Sequence, residues 1–248
     1  MTVATVSIES EILAALDTVT DPELDQPITD LGFVRSVALD DEGVTVHLRL
    51  PTAFCSPNFA YLMASDTQDA LRTVDGIGEV RVLLDDHHDS DKINAGLAAD
   101  AGYLGTFGSE AEQSLDELRR TFLRKAHTAA MERCVSSLMR QQNGLASNGI
   151  HRLTLRDLPE GREKSALLRR RFAVGLTRCP NGRVVVDDEG QPLAPDAVPM
   201  RLRFARSVRI SIEGNAHFCR GMLATRYRDD GQGVAATQFT NTRTRSPQ

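Results

Sequence analysis

The stretch EGVTVHLRLPTAFCSPNFAYLM, residues 42–63, changes its period in the middle. Before the first proline, Val44, Val46, Leu48 and Leu50 alternate with Thr45, His47 and Arg49, the pattern of a strand with one face in a core and one in water. After it, Ser56 and Pro57 suit the N-cap and first position of a helix. Phe59, Leu62 and Met63, continued by Ala70, Leu71 and Val74, then mark a helical stripe that ends near Gly76. One thiol, Cys55, stands where strand gives way to helix.

Working outward, GFVRSVAL and the turn DDEG precede the strand and complete a hairpin with it. Upstream, Ile8, Ile12, Ala15, Leu16 and Val19 recur at helical spacing after Ser7, a candidate N-cap, and Pro22 in TDPELDQP ends that helix. Downstream, EVRVLL supplies a third strand through Val80, Val82 and Leu84. A strand, helix, strand connection of this length crosses over, so the third strand is expected parallel to a neighbour. The predicted fold is α+β: an αββαβ sandwich on a mixed three-stranded sheet, residues 1–86.

The acidic run DDHHDSD, residues 85–91, reads as a boundary. Beyond it, residues 110–142 contain neither Gly nor Pro and predict a long helix. Its apolar face is Leu115, Leu118, Phe122, Ala126 and Ala129, with Arg119, Arg120, Arg124 and Lys125 opposite. A shorter helix is expected in GREKSALLRRRFAVGL, followed by β-like runs at 183–187, 201–204, 207–213 and 217–227. Residues 92–228 therefore read as a helical, then β-rich extension, and the Gly- and Thr-rich residues 229–248 as a disordered tail.

No apolar run reaches membrane-spanning length, and the first residues lack the basic flank and apolar centre of a signal peptide, so a cytoplasmic protein is expected. The cysteines, Cys55, Cys134, Cys179 and Cys219, are far apart and form no CxxC, which argues against a disulfide framework or a self-contained zinc knuckle. Residues 1–100 carry 19 acids and 5 bases, whereas residues 101–248 carry 15 acids and 24 bases. An acidic part joined to an Arg-rich part implies different partners, or attraction between the two.

A thiol just ahead of a helix lies near unpaired backbone N–H groups and the positive end of the helix dipole, both of which favour the thiolate that binds metal or attacks. Read from spacing alone, Cys55 is such a ligand or nucleophile, or else a small apolar residue packed at the junction.

DPELDQPITDLGFV (21–34), the hairpin, LPTAFCSPN (50–58) and VDGIGEVRVLL (74–84) together resemble the iron-sulfur cluster assembly accessory family, the PaaD-like and SufT-like domains also called domain of unknown function 59. The family's motif positions fall on Asp21, Pro22 and Glu23, on Asp30, Leu31 and Gly32, on Thr52 and Cys55, and on Val74, Gly76 and Val80. One departure is Ser56, which stands between Cys55 and Pro57 where the family has Pro directly after Cys. The resemblance implies an αββαβ fold and a role in maturing metalloproteins. Cys55 would handle a transient iron-sulfur cluster or iron, with Asp21, Glu23, Asp30 and Thr52 shaping or flanking its loop. The whole arrangement, with DDHHDSDKINAGL, the long Arg-bearing helix, LLRRRFAVGL and ISIEGNAHFCRGML, also resembles longer members of this family associated with soluble diiron monooxygenases, which implies a client metalloenzyme of that kind, or cluster-assembly proteins, as partners.

One cysteine cannot hold a cluster, so further ligands are expected from a second chain, a homodimer included, or from Cys179 and Cys219. His217 and Cys219, two apart in an expected strand, would share a face as a soft-metal pair or simply pack in a β core. His87 and His88 in DDHHDSD offer cation ligands, but such a run is more often a solvated linker, and Cys134 reads as core. The common nucleotide and hydrolase signatures are absent, and a non-enzymatic factor is expected, ahead of a small enzyme using Cys55 as nucleophile. The alternative function is a binding module whose Arg-rich half recognises nucleic acid. Its basic residues alternate with Glu and Leu in helical phase, which fits solvated faces or an acidic protein partner better.

Overall fold

The computed structural model describes residues 7–111, 115–141, 147–228 and 237–244. Their packing divides the chain into two compact units, residues 1–115 with 215–248, and residues 116–214.

The first unit begins with α1 (Ile8–Thr18), capped by the Ser7 hydroxyl, which accepts the Ser10 N–H, and anchored by the fully buried Ile12 and Leu16. Two short strands, β1 (Thr20–Asp21) and β2 (Gln26–Pro27), pair across the acidic turn that follows. The hairpin is β3 (Val34–Leu39) and β4 (Gly43–Arg49), antiparallel with Val37 opposite Val46. Asp40 fixes its turn by accepting the N–H groups of Glu42 and Gly43. Gly43 is required there, because a Cβ would lie 2.0 Å from the Glu79 carbonyl oxygen.

Helix α2 (Pro57–Arg72) crosses over to β5 (Glu79–Asp85), which runs parallel to β4 with Val82 beside Val46, as the crossover rule requires. The predicted boundary at 86 is not where packing divides. Helices α3 (Ser90–Ala98) and α4 (Gly102–Phe107) bury Ile93, Leu97, Tyr103 and Phe107 in the same core. Asn94 ties α3 to β5 by bonding both the N–H and the C=O of Leu84. Tyr61, Tyr103 and Phe107 form an aromatic cluster, with centroids 5.4 and 5.0 Å apart along the series.

In the second unit, α5 (Leu115–Gln141) buries the segment from Ala126 to Leu138 rather than its start, and its Met131, Cys134, Val135 and Leu138 share one core with Leu167 of α6 (Arg162–Ala173). The core holds Met131, Cys134, Leu167, Val184 and Ala205. Arg171 is fully buried within it, donating to the carbonyls of Thr177 (2.7 Å) and Arg183 (3.0 Å).

The extension is largely helical, which corrects the β-rich expectation. The runs at 201–204, 207–213 and, up to Arg226, 217–227 lie in one helix, α7 (Val198–Arg226). Short alternations such as RLRF and RISI mimic a strand, but the buried positions are Leu202 in part, then Ala205, Ile212, Ala216 and Leu223, spaced by threes, fours and sevens. The run 183–187 forms only isolated bridges, Thr154 with Arg183 and Val186 with Pro192. Residues from Asn215 onward pack in the first unit, where Ala216, Leu223 and Tyr227 join its core.

The tail needs a second correction. Of residues 229–248, expected disordered, Gln238–Asn241 forms β6, which lies parallel to β3 with Phe239 opposite Val37. The sheet is therefore four-stranded, in the order β5-β4-β3-β6. Residues 229–236 and 245–248 lie outside the described residues.

Candidate functional site

Cys55 sits half-buried in the loop from β4 to α2, with Ser56 and Pro57 at the helix start as the sequence places them. The loop folds on Thr52, whose hydroxyl accepts the Phe54 N–H (3.1 Å) and lies 3.6 Å from the Cys55 sulfur. His87, only 7% exposed, holds it from the other side. Its Nδ1 accepts the Asp89 N–H (3.0 Å), which leaves Nε2 to donate to the Cys55 carbonyl (2.8 Å). The His88 N–H donates to Ala53 C=O (2.9 Å). The acidic run read as a solvated linker thus clamps the cysteine loop.

Asp21 is buried, and its Oδ1 accepts the N–H groups of Glu23 and Leu24, both at 2.8 Å. Burial pushes its carboxyl up to about 6, with Glu23 adding to the rise against the two backbone hydrogen bonds. Asp30 is exposed on the turn that ends at Gly32, whose φ of 75° takes the left-handed conformation glycine allows. Arg49, buried beneath that turn, donates through Nε to the Gly32 carbonyl (3.1 Å) and lies over the Tyr227 ring.

The C-terminal part of α7 lies against this loop. Asn215 donates to Glu23 (3.1 Å), and Arg220 bonds the Gln26 side chain. Arg226 donates to the carbonyls of Leu50 (3.1 Å) and Asp86, and the Tyr227 hydroxyl bonds Asp86 (3.2 Å). Cys219, half-buried on this helix, has its thiol pushed up to about 11, first by burial and then by the charges of Asp21, Cys55 and Glu23. Beside the loop, Pro51 to Phe54 and His217, Phe218, Gly221, Met222, Thr225 and Arg226 line an apolar cleft of about 760 Å³. Phe54 and Phe218 stand 82% and 69% exposed at it.

His217 and Cys219 do not share a face as a strand would give them, because both lie on α7. On a helix, residues two apart point about 200° away from each other, so His217 faces solvent at the cleft while Cys219 turns towards the core. Cys179 belongs to the second unit, exposed in a turn where its N–H bonds the Thr177 hydroxyl. Among the described residues, no group of three or more His, Cys, Asp or Glu is arranged to hold a metal ion. Cys134 is a core residue, its thiol raised by burial to about 12.

Residues 9–84 match the family model described as iron-sulfur cluster assembly protein. An uncharacterized protein of Methanocaldococcus jannaschii, MJ1129, is 34% identical over 80 residues, which span 82% of that protein and 32% of this chain. The chain belongs to the iron-sulfur cluster assembly protein family. No solved structure matches.

The family segment holds Asp21, Glu23, Asp30, Thr52 and Cys55, whereas the loop's clamp does not. His87, Cys219, Arg226 and Tyr227 lie beyond residue 84, on elements added to the family domain. Sequence reasoning named Cys219 with Cys55, but placed it on a strand beside His217, and missed His87 as a loop anchor. The missed signal is its position just after β5, where a buried histidine can reach the neighbouring loop. Among the described residues, no helix is long and apolar enough to cross a membrane.

Proposed function

We propose that this protein is a non-enzymatic accessory factor in cluster assembly that carries an iron-sulfur cluster or iron, as cargo, to a client metalloenzyme. The observation that carries this reading is the Cys55 thiol, held on a loop fixed from both sides by Thr52 and His87 beside an apolar cleft with two exposed phenylalanines. Clusters are held by a full set of cysteine thiolates. This chain brings Cys55 and, near it, Cys219, so the remaining ligands come from a second chain and the cargo is held labile. Asp21 and Glu23 place negative charge beside the Cys219 thiol, which favours a cation over an anionic substrate. Phe54 and Phe218 present the apolar surface on which a client docks while the thiol is within reach. A soluble diiron monooxygenase, the kind of client that the motifs beyond the family domain imply by resemblance, is the first to test.

Nucleic acid recognition by the Arg-rich part is the weaker reading, because several of its arginines are already engaged. Arg171 is buried on two carbonyls, Arg201 pairs with Asp188 (2.7 Å), and Arg209 pairs with Glu132 and Glu213.

The test is anaerobic reconstitution with iron and sulfide, followed by transfer to an apo-client. Charge-transfer absorbance should form in the wild type, vanish in Cys55→Ser and weaken in Cys219→Ser. Equal bands in wild type and Cys55→Ser would refute the assignment of Cys55.

A further inference from the structure

In the second unit, α5 and the first part of α7 leave a groove of about 450 Å³ floored by Val135, Met139, Ile150, Val198 and Leu202. We propose that this groove docks an acidic amphipathic helix of a partner protein. Two independent features meet there. The floor is apolar and open, with Met139 itself 37% exposed. The rim is cationic: Arg140 on α5 and Arg203 and Arg206 on α7 are exposed, and none has a hydrogen bond or ion pair among the described residues.

The groove's acid is already neutralised. Glu132 is buried, accepts the Ser136 hydroxyl (2.6 Å) and is paired with Arg209. The field over the apolar floor is therefore positive, and an anionic occupant answers it. The spacing of the cations selects the kind of anion. Arg203 and Arg206 follow each other along α7 at a rise of about 4.5 Å, and Arg140 stands on the opposite helix, so positive charge borders the groove lengthwise instead of converging on one point. A single headgroup on an acyl chain would leave most of that charge unanswered. A helix with apolar residues at i, i+3, i+4 and i+7 and carboxylates on both flanks answers all of it. From Val198 to Arg209 the wall runs about 16 Å, some three turns of such a helix.

The experiment uses the full chain and a fluorescent synthetic peptide of about 15 residues, with leucines in helical phase and glutamates flanking them. Two control peptides carry glutamine for glutamate, or the same residues out of phase. By anisotropy, the acidic in-phase peptide should bind the wild type. Binding should weaken about tenfold or more, about 1.4 kcal/mol, in the double variant Arg203→Glu/Arg206→Glu and in Met139→Asp, and should fade with salt. Both sites of substitution are exposed, so the fold is kept, and the circular dichroism of each variant checks it. Cys55→Ser should bind as the wild type does, which separates this surface from the cluster reading. The proposal is overturned if the acidic peptide fails to bind or binds the charge-reversed variant equally. It is also overturned if the out-of-phase peptide binds as well, if dodecanoate binds where the peptide does not, or if sedimentation shows the groove closed by a second copy of the chain.

Discussion

His87 Nε2 donates to the Cys55 carbonyl oxygen across 2.8 Å, joining the segment after β5 to the loop that carries the Cys55 thiol. Because Nδ1 of the same ring accepts the Asp89 N–H, the ring is oriented from behind and cannot turn away without losing both bonds. His87→Ala should therefore lower stability by about 1–3 kcal/mol, the cost of leaving buried polar groups unpaired. It should also release the loop. Urea unfolding measures the first effect. The second is read as a changed alkylation rate at Cys55 against exposed Cys179 as internal reference. An unchanged Cys55 rate would mean that Thr52 alone sets the loop.

Asp21 should make stability fall as pH rises through mildly acidic values. Its folded-state value is raised from 3.8 to about 6, chiefly by burial, so between those limits the native state holds a proton the unfolded chain has released. The contribution is fully present below about pH 4 and is lost as pH passes 6, at most about 3 kcal/mol. Asp21→Asn keeps the Oδ1 acceptor for the Glu23 and Leu24 N–H groups and removes the titration. The difference in unfolding free energy between variant and wild type should grow in the variant's favour from pH 4 to pH 7. A flat difference would show that the carboxyl titrates alike in both states.

The hairpin and α2 were legible because each carries one uninterrupted period: Val44 to Leu50 alternates, and Phe59 to Leu71 recurs by threes and fours. The thiol between them was legible for the same reason, since a change of period marks a junction. What failed was local. RISI alternates over four residues, yet Ile212 belongs to a buried series running from Ala205 to Leu223, visible only in a longer window. QFTN has too few residues to announce a strand, and it becomes one because β3 offers an unpaired edge. His87 and Asp86 read as solvated because neighbouring acids dominate the run, whereas partners distant in sequence engage them: Cys55 holds His87 inside, and Arg226 and Tyr227 bond Asp86, which stays exposed.

Cys219 should be the slow partner of Cys55. Burial and the negative charges of Asp21, Cys55 and Glu23 hold its thiol near 11, so at pH 8 only about one molecule in a thousand carries the thiolate there. Iodoacetamide at pH 8 should label exposed Cys179 long before Cys219, and buried Cys134 should resist with it. Asp21→Asn removes one of the opposing charges and should speed Cys219 labelling. Equal rates at Cys179 and Cys219, followed by mass spectrometry of the peptides, would place Cys219 in solvent and remove it from the proposed cargo site.

The β6 strand should guard the sheet as well as stabilise it. It covers the β3 edge, and the following residues extend the seal: the Thr242 N–H bonds Leu39 C=O (2.8 Å), Arg243 donates to the carbonyls of Asp40 and Ile77, and Thr244 bonds Asp41. Ending the chain at Arg228 removes these bonds and Phe239, and leaves β3 as an open edge beside the apolar Val37 and Leu39. A loss of about 1–3 kcal/mol is expected from a short parallel strand whose bonds are partly replaced by water. The larger effect is association, because an unpaired edge is a template for another chain. Light scattering on warming should therefore rise at a lower temperature in the truncated protein than its loss of stability alone accounts for. A single added charge at Val37 would test burial instead, so the discriminating substitution is Ala38→Lys, which puts a charge on the exposed face of the freed strand and leaves its ladder with β4 intact. If Ala38→Lys in the truncated chain suppresses association, edge pairing is the cause; if association is unchanged, the core that Phe239 covered is.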